Sequence, residues 1–377
     1  MKTELALSHA TLTLHRFPYR QHETLQAWDA GDEYLLQHID SLSLKPEQQI
    51  LVINDSFGAL SCALSSQHQV TMMSDSFIAR QATIENLQRN QCREVNFLNT
   101  MADIPDNIDL AIMQIPRNNR HLTWLLARLK ARLPKTTTLI AVNKAKEIHT
   151  STLQLFERYL GDTKTSLAWK KHRLVFCQPT ADPVNMPPES IQWSVDDYSI
   201  MLENLPNVYS GERLDLGARF LLPHLPQQAE LTNIIDLGCG NGVLSVRLAQ
   251  LNPQAHITAI DESYMAIEST SRNLKHNLAS HQNFHCQVNN CLDGFDSDMA
   301  QLIVCNPPFH QQQAITDHIA WQMFCDAKRV LANNGKLLII GNRHLGYDSK
   351  LKRLFGRAQV KTLASNPKFV ILQAIKR

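Results

Sequence analysis

A glycine-rich turn in the second half of the chain has the residue types best suited to holding a ligand. Gly238-Cys239-Gly240-Asn241-Gly242 follows a short apolar run typical of a buried strand and precedes a helical pattern. Glycines there let a ligand approach the backbone and tolerate positive φ without a Cβ penalty. Asp236 lies just before the turn, and Asp261 ends the next strand pattern. An acid at that strand end can accept hydrogen bonds from both ribose hydroxyls of a nucleoside.

The spacing of this turn argues against two common nucleotide sites. The dinucleotide fingerprint is Gly-x-Gly-x-x-Gly, whereas this turn is Gly-x-Gly-x-Gly. The chain also lacks the Gly-Lys-Ser/Thr sequence that holds a triphosphate in P-loop enzymes.

These residues resemble the cofactor motifs of the class I S-adenosylmethionine-dependent methyltransferases. The acidic-x-Gly-x-Gly-x-Gly loop of that family matches Asp236, Gly238, Gly240 and Gly242, with Cys239 inside it. Asp261 matches the second-strand acid, and Asn306-Pro307-Pro308-Phe309 matches the fourth-strand motif. The resemblance implies S-adenosyl-L-methionine as cofactor, with the glycine loop against its methionine part and Asp261 on its ribose. It also implies an adenine contact at Asn290, which replaces the more common Asp.

The segment Asn306-Pro307-Pro308-Phe309 carries the catalytic chemistry in this interpretation. An exocyclic amine is a poor nucleophile because its lone pair is delocalised into the attached π system. The Asn306 side-chain carbonyl and the Pro307 backbone carbonyl can accept its two N–H bonds and aim the nitrogen at the methyl sulfonium, while the prolines fix φ. Phe309 offers a face on which a flipped base can stack. Since the nitrogen can lose its proton after transfer, positioning supplies most of the rate.

Residues 207–220 precede the first strand of this half and include Tyr209. In related methyltransferases a segment like this covers the cofactor and brings an aromatic side chain near the target. The same residues are equally typical of a capped approach to a helix, so both interpretations stay open.

The elements that must position these residues are organised in two halves. Residues 178–190 contain four prolines, which is typical of a linker. The linker separates residues 1–177 from residues 191–377. Each half alternates short β-branched runs with helical patterns, which indicates βαβ units and parallel sheets. We therefore predict an α/β fold with two tandem Rossmann-like methyltransferase domains, of which the second is catalytic.

The two halves also repeat each other in order. Residues 51–61 have the layout of residues 234–245, with a turn that we expect to be shorter by two residues, and Asp75 stands for Asp261. Further pairs are residues 86–90 with 273–277, residues 110–117 with 302–309, and residues 164–175 with 361–372. Five correspondences in one order predict a duplicated doubly wound domain.

The first half retains the scaffold but is degenerate at the cofactor site, because Gly58 is its only turn glycine and Asn-Pro-Pro-Phe is absent. Its charges favour RNA binding. No acid lies between Asp109 and Glu147, where eight basic residues occur. A solvated helix face is the alternative for residues 128–132. The candidate RNA contacts are Arg117, Arg120, Lys170 and Lys171, together with Tyr209 in the second half.

Composition excludes several classes of protein. With 377 residues, a net charge of +2, 19% charged and 44% hydrophobic residues, the chain is neither disordered nor a basic coat protein. No apolar stretch approaches the ~18 residues needed to span a bilayer. Eight cysteines without a CxxC pair, and a start unlike a signal peptide, favour a reduced, cytoplasmic protein. His281, His285, Cys286 and Cys291 match no zinc spacing, so we expect no metal.

Six further segments widen the resemblance to the whole chain: residues 12–18, 25–30, 32–37, 148–152, 168–171 and 306–312. They resemble the bacterial ribosomal RNA guanine-N2 methyltransferases with a degenerate amino-terminal duplicate, and within that family its large-subunit member. This resemblance implies methyl transfer to the 2-amino group of one guanine in 23S rRNA, on protein-free rRNA or an early assembly intermediate.

Three alternatives accompany this interpretation. A 16S rRNA guanine-N2 methyltransferase shares the architecture. A protein-glutamine methyltransferase also uses an Asn-Pro-Pro-aromatic motif, but this activity would not explain the basic residues of the first half. An rRNA-binding assembly factor with incidental methylation comes from a different class. The residues alone indicate a methyltransferase acting on a planar amine in nucleic acid.

Overall fold

The computed structural model describes residues 2–308 and 317–377. The chain forms two compact units, Met1–Glu189 and Ser190–Arg377. Within the described residues, no helix combines the length and the apolar character that crossing a membrane requires.

The first unit contains nine strands and five α-helices within its described residues. The strands are β1 (Glu4–Ala6), β2 (Thr11–Thr13), β3 (Gln49–Ile53), β4 (Gln69–Met73), β5 (Asn96–Leu98), β6 (Leu110–Gln114), β7 (Thr138–Lys144), β8 (Gly161–Thr165) and β9 (His172–Pro179). The helices are α1 (Ala30–Ser41), α2 (Ala59–Ser65), α3 (Phe77–Arg89), α4 (Asn119–Arg132) and α5 (Thr150–Tyr159).

The main sheet of this unit has seven strands in the order β5-β4-β3-β6-β7-β9-β8. Strands β3 to β7 are parallel, and β9 is antiparallel to both its neighbours. Strand β3, which lies between β4 and β6, is a continuous apolar run from Ile50 to Ile53 with no exposed side chain. Such a run is expected where helices cover both faces of a parallel sheet.

The second unit has the same number of described strands and helices. The strands are β10 (Ile191–Val195), β11 (Ile200–Asn204), β12 (Asn233–Leu237), β13 (His256–Asp261), β14 (Phe284–Val288), β15 (Ala300–Cys305), β16 (Leu331–Asn342), β17 (Val360–Ser365) and β18 (Phe369–Ile375). The helices are α6 (Leu216–Leu221), α7 (Val243–Leu251), α8 (Tyr264–Asn277), α9 (Asp317–Val330) and α10 (Tyr347–Phe355).

Its sheet runs β14-β13-β12-β15-β16-β18-β17, which is the strand order of the first unit. The prediction of a duplicated α/β domain is confirmed. In both units, the chain first adds strands on one side of the strand with which the sheet begins, β3 or β12. It then crosses to the other side of that strand, where β6 or β15 lies. Ligands of doubly wound sheets bind at this switch point, outside the carboxyl ends of the strands. In the second unit that point lies at the ends of β12 and β15.

Three details of the predicted duplication were wrong. The turn between β3 and α2 spans residues 54–58 and the turn between β12 and α7 spans residues 238–242, so their lengths are equal. Ser74, not Asp75, follows β4 where Asp261 ends β13, because Ile53 pairs with Met73 as Leu237 pairs with Ile260.

The third detail is the start of the linker. Strand β9 continues through Pro179, which pairs with Gly161 of β8. The predicted linker therefore begins two residues too early at position 178. Proline is tolerated there because the pairing of β9 with β7 ends at Cys177, so Pro179 has β8 on one side only and behaves as an edge residue.

Candidate active site

The glycine turn of the second unit follows β12 and is anchored to β13. The N–H groups of Gly238 and Cys239 both donate to the Ile260 carbonyl, at 2.8 and 2.9 Å. Gly240 has a φ of +56°, and a Cβ there would meet no atom within 4 Å. Gly242 has a φ of +77°, but a Cβ there would lie 2.7 Å from the Thr270 side chain. Gly240 therefore borders open space, whereas Gly242 permits close packing of α8.

Asp261 lies beside this turn at the end of β13. Its Oδ2 accepts a hydrogen bond from the Gly240 N–H at 2.9 Å, and its Oδ1 accepts one from the Ser263 N–H at 3.0 Å. Burial raises the pKa of this carboxyl despite these bonds. Each carboxylate oxygen can accept a second hydrogen bond. The Glu262 N–H also bonds to this carboxyl. The acceptor capacity that remains, together with the open edge at Gly240, fits the ribose of a nucleoside cofactor.

Asp236 supports the turn from within β12. Its side chain is fully buried, and its Oδ2 accepts a hydrogen bond from the Ser245 hydroxyl of α7 at 2.6 Å. Its Oδ1 has no hydrogen-bond partner among the described residues. Burial raises the pKa of Asp236 to about 7. The carboxyl therefore lies behind the glycine turn and ties the strand to the helix.

Two other predicted cofactor residues lie at the same sheet edge. Asn290 follows β14, is 4% exposed, and accepts a hydrogen bond from the Gln322 side chain at 3.2 Å. The Cys239 thiol is buried and lies 3.4 Å from the Thr270 hydroxyl, so Cys239 faces α8. A ligand in the crevice would meet only the backbone of Cys239.

Asn306 directly follows β15, the strand adjacent to β12. Its Nδ2 donates a hydrogen bond to Asp215 Oδ2 at 3.2 Å. Its Oδ1 is buried and has no hydrogen-bond partner among the described residues. Pro307 and Pro308 follow it, and Phe309 lies outside the described residues. The fourth-strand motif therefore presents one buried, unused carbonyl oxygen near the glycine turn.

Asp215 is a site residue that sequence reasoning missed. It is the N-cap of α6, and its Oδ2 accepts a hydrogen bond from the Ala218 N–H at 2.9 Å. Tyr209, which is 62% exposed, donates its hydroxyl to Asp215 Oδ1 at 3.3 Å. The bond from Ala218 to Asp215 confirms the interpretation of residues 207–220 as a capped approach to a helix. Their role in covering the cofactor stays a prediction. An acid before a helical pattern was the available signal.

The basic side chains of the first unit fall into two groups. Arg128 donates to the carbonyls of Thr100 and Ala102, and Lys170 pairs with Glu33 at 2.7 Å. Arg128 is thereby committed to the fold, whereas Lys170 keeps an exposed side chain next to its ion pair with Glu33. By contrast, Arg117 and Lys171 are exposed, and neither forms an ion pair with a described residue. Arg120 lies in the first turn of α4 and is half-buried.

The turn of the first unit is filled by its own side chains. Asp55 accepts hydrogen bonds from the N–H groups of Gly58 at 2.9 Å and Ser61 at 2.8 Å. Gln114, which occupies the position of Asn306, donates to the buried Asp32. Polar groups that would face a ligand are thus bonded internally.

The described part of the chain contains many side chains of metal-ligand type, including eight cysteines. No three side chains of ligand type come together there in an arrangement that could hold a metal ion. All eight cysteines, each in a described position, are free thiols.

The fold and this site define a class I methyltransferase: a doubly wound sheet with a glycine turn after its first strand, an acid after its second and Asn-Pro-Pro after its fourth. Residues 2–181 match the RLMG N-terminal domain, and residues 199–373 match the methyltransferase small domain. The ribosomal RNA large subunit methyltransferase G of Vibrio campbellii is 63% identical over 377 residues, covering 100% of this chain and 98% of the relative. The chain belongs to the ribosomal RNA large subunit methyltransferase G family.

A second relative agrees with this assignment, and a solved structure shares the fold. The protein of the same name from Vibrio vulnificus is 64% identical over 376 residues and is covered completely. A solved 16S rRNA N2 methyltransferase from T. thermophilus, in complex with AdoMet and guanosine, has a TM-score of 0.79 and 18% identity. The alignment covers 100% of this chain and 98% of that one. At this identity the likeness establishes the common fold.

Proposed function

We propose that this chain transfers a methyl group from S-adenosyl-L-methionine to the 2-amino group of a guanine in 23S rRNA. The observation that carries the proposal is the buried Oδ1 of Asn306, which has no partner among the described residues and lies at the switch point of the sheet. A buried acceptor without a partner is costly unless a ligand satisfies it. An exocyclic amine has the N–H that this oxygen lacks.

The chain's contribution to catalysis is positioning. Asn306 Oδ1 and the Pro307 carbonyl accept the two N–H bonds of the guanine amine and hold its nitrogen in one orientation. Pro307 and Pro308 keep this backbone rigid. Phe309 supplies a face for the flipped base. S-adenosyl-L-methionine, when bound, would supply a methyl group on a sulfonium, from which the sulfur leaves as a neutral thioether.

The cofactor contacts proposed here follow the chemistry of the turn. Gly238 and Gly240 let the methionine part approach the backbone, and Asp261 accepts hydrogen bonds from the ribose. Asn290 borders the adenine. Asp236 and Gly242 act by keeping the turn in place, since one is fully buried and the other packs on Thr270.

The rRNA substrate is supported by the names of relatives that align over the whole chain. We propose residues 1–177 as the RNA-binding domain, with Arg117, Arg120 and Lys171 as phosphate contacts and Lys170 beside them. Tyr209 meets the target region in the catalytic domain, residues 191–377. Protein-free 23S rRNA in the cytoplasm, or an early assembly intermediate, is the proposed substrate, because the target base must leave its stack to reach Asn306.

Methylation of separated rRNAs tests the proposal. Deproteinised 23S rRNA, deproteinised 16S rRNA and assembled large subunits are incubated with cofactor labelled on the methyl group, and the labelled nucleoside is identified. We expect N2-methylguanosine in deproteinised 23S rRNA only. Label confined to 16S rRNA overturns the choice of substrate, and equal labelling of assembled subunits overturns the preference for protein-free rRNA.

Variants of the site separate binding from transfer. Asn306→Ala should lower kcat by at least about 100-fold with cofactor affinity retained, because it removes an acceptor that positions the amine. Asp261→Ala should mainly weaken cofactor binding, measured by calorimetry. Restoration of a large-subunit assembly defect by Asn306→Ala as well as by the wild type favours the assembly-factor alternative.

A further inference from the structure

We infer that Asp215 is a positioning residue that fixes the orientation of the Asn306 amide. An asparagine side chain carries a donor and an acceptor of almost the same shape, so its amide can be turned by 180° at little steric cost. Catalysis at an amine requires the acceptor to face the substrate. The contact between Asp215 and Asn306 decides which end does so.

The hydrogen bonds at Asp215 leave no ambiguity about their direction. A carboxylate has only acceptor atoms. The Tyr209 hydroxyl, the Ala218 N–H and Asn306 Nδ2 all donate to it, at 3.3, 2.9 and 3.2 Å. The amide group of Asn306 must therefore turn its NH2 toward Asp215. Its Oδ1 then points away from the carboxylate as the buried, unsatisfied acceptor.

Reversal of this amide would place an NH2 group against the NH2 group of the substrate. Two donors cannot form a hydrogen bond, so the amine would lose an acceptor and its fixed orientation. The same reversal would also place Oδ1 against the Asp215 carboxylate. Asp215 thus selects the catalytically useful orientation of Asn306 without touching the reacting atoms itself.

A purely structural role for Asp215 is the competing explanation, because it also caps α6. The first unit provides the comparison. Asp29 is the N-cap of α1 and accepts hydrogen bonds from the N–H groups of Gly31 and Asp32. Gln114, at the position of Asn306, bonds to Asp32 and not to this cap residue. Asp29→Asn is therefore a matched control. It makes the same change at a helix N-cap, but at a residue that does not bond to the counterpart of Asn306.

The test exchanges the two side chains. Asp215→Asn keeps a good helix cap, but its amide can donate as well as accept and no longer fixes Asn306. Asn306→Asp places two carboxylates together. The double variant restores one donor and one acceptor: the amide now at 215 donates to the carboxylate now at 306, whose second oxygen remains available for the amine. This inference rests on the proposed function, because it concerns the acceptor of the guanine amine.

We expect each single variant to lose at least about tenfold in kcat on 23S rRNA, with the cofactor affinity within about threefold of the wild type. The double variant should recover at least about tenfold over Asn306→Asp, and Asp29→Asn should leave kcat unchanged. Full activity of Asp215→Asn, or a double variant no better than Asn306→Asp, overturns the inference.

A second readout keeps the two proposals distinguishable. Urea unfolding of the wild type, both single variants and the double variant gives the coupling free energy of the pair independently of any substrate. We expect the double variant to be more stable than the sum of the single effects allows. Absent coupling overturns the inference even when the wild type is active, whereas a wild type that labels no rRNA overturns the proposed function alone.

Discussion

Asn273 in α8 and Asn86 in α3 make equivalent hydrogen bonds, each within its own unit. Asn273 Oδ1 accepts a hydrogen bond from the Glu203 N–H at 2.7 Å, and its Nδ2 donates to the Glu203 carbonyl at 3.0 Å. Nδ2 also donates to the Asn241 carbonyl at 2.9 Å. One buried side chain therefore joins strand β11 to the glycine turn that borders the candidate cofactor site.

Asn86 makes the same set of bonds in the first unit. Its Oδ1 accepts from the His15 N–H at 3.0 Å, and its Nδ2 donates to the carbonyls of His15 and Phe57, both at 2.8 Å. Phe57 precedes Gly58 as Asn241 precedes Gly242. This contact has been retained where the cofactor site is filled by acids, so it serves the fold first and the ligand only through the turn.

Replacement of Asn273 by alanine should loosen both the fold and the cofactor site. Its neighbours would keep buried N–H and carbonyl groups without partners, at about 1–3 kcal/mol for each. We expect a loss of several kcal/mol in the unfolding free energy of the second unit and weaker cofactor binding. Urea unfolding and calorimetry measure the two effects. Asn86→Ala is the control, which should destabilise the first unit but leave cofactor affinity unchanged; equal losses of affinity would contradict this assignment.

The turn glycines should respond differently to alanine. At Gly240 the added methyl group enters open space, so the cost to folding is the left-handed φ alone, about 1–2 kcal/mol. Cofactor affinity should nevertheless fall at least about tenfold, because the methyl group occupies the crevice. Gly242→Ala should destabilise the unit more, since its methyl group meets Thr270 at 2.7 Å.

Gly58 supplies the control for that comparison, because its Cβ would lie 2.8 Å from Thr83 in the equivalent turn of the first unit, where Asp55 accepts the Gly58 N–H. Gly58→Ala should resemble Gly242→Ala in unfolding experiments and leave cofactor binding intact. Loss of affinity in Gly242→Ala without a loss of stability would show that Gly242, and not only Gly240, meets the cofactor.

Asp236 should make the stability of the second unit depend on pH. Its folded pKa of about 7 lies above the ordinary value of 3.8, so the protonated form favours the folded state. That stability is complete below about pH 4 and is lost as pH rises through about 7, with a total on the order of 4 kcal/mol. Asp236→Asn has no charge to bury. Its unfolding free energy relative to the wild type should therefore increase between pH 5 and pH 8, and a difference independent of pH would contradict the buried charge.

The doubly wound fold, and the positions of the glycine turn after β12 and of Asp261 at the end of β13, could be predicted because they depend on local patterns. Apolar runs, a glycine turn and an acid at a strand end all fall within short windows of sequence. The contact between Asp215 and Asn306 could not, because it joins residues 91 positions apart through the packing of α6. Sequence spacing gives Asp215 only as a helix cap.

Charge along the chain does not show which cations remain available to a ligand after folding. An acid-free stretch shows how many cations lie together, but not which backbone carbonyls or acids they bind after folding. Arg128 is held by the carbonyls of Thr100 and Ala102, and Lys170 by Glu33. The equal lengths of the two turns do not follow from residue identity for a related reason, because sheet register fixes which positions correspond.

The two groups of basic residues should separate in RNA-binding experiments. Lys171 is exposed and has no ion-pair partner among the described residues, so Lys171→Ala should weaken binding of 23S rRNA and lower the slope of log K against log salt by about 1, with the unfolding free energy unchanged. Arg128→Ala should instead lower the unfolding free energy and leave the binding of 23S rRNA and its salt slope unchanged, because it removes the donor to two backbone carbonyls of the first unit. Filter binding at several salt concentrations and urea unfolding measure both. If Arg128→Ala reduced the salt slope while stability held, this side chain would contact phosphate, and the division between structural and RNA-facing cations would be wrong.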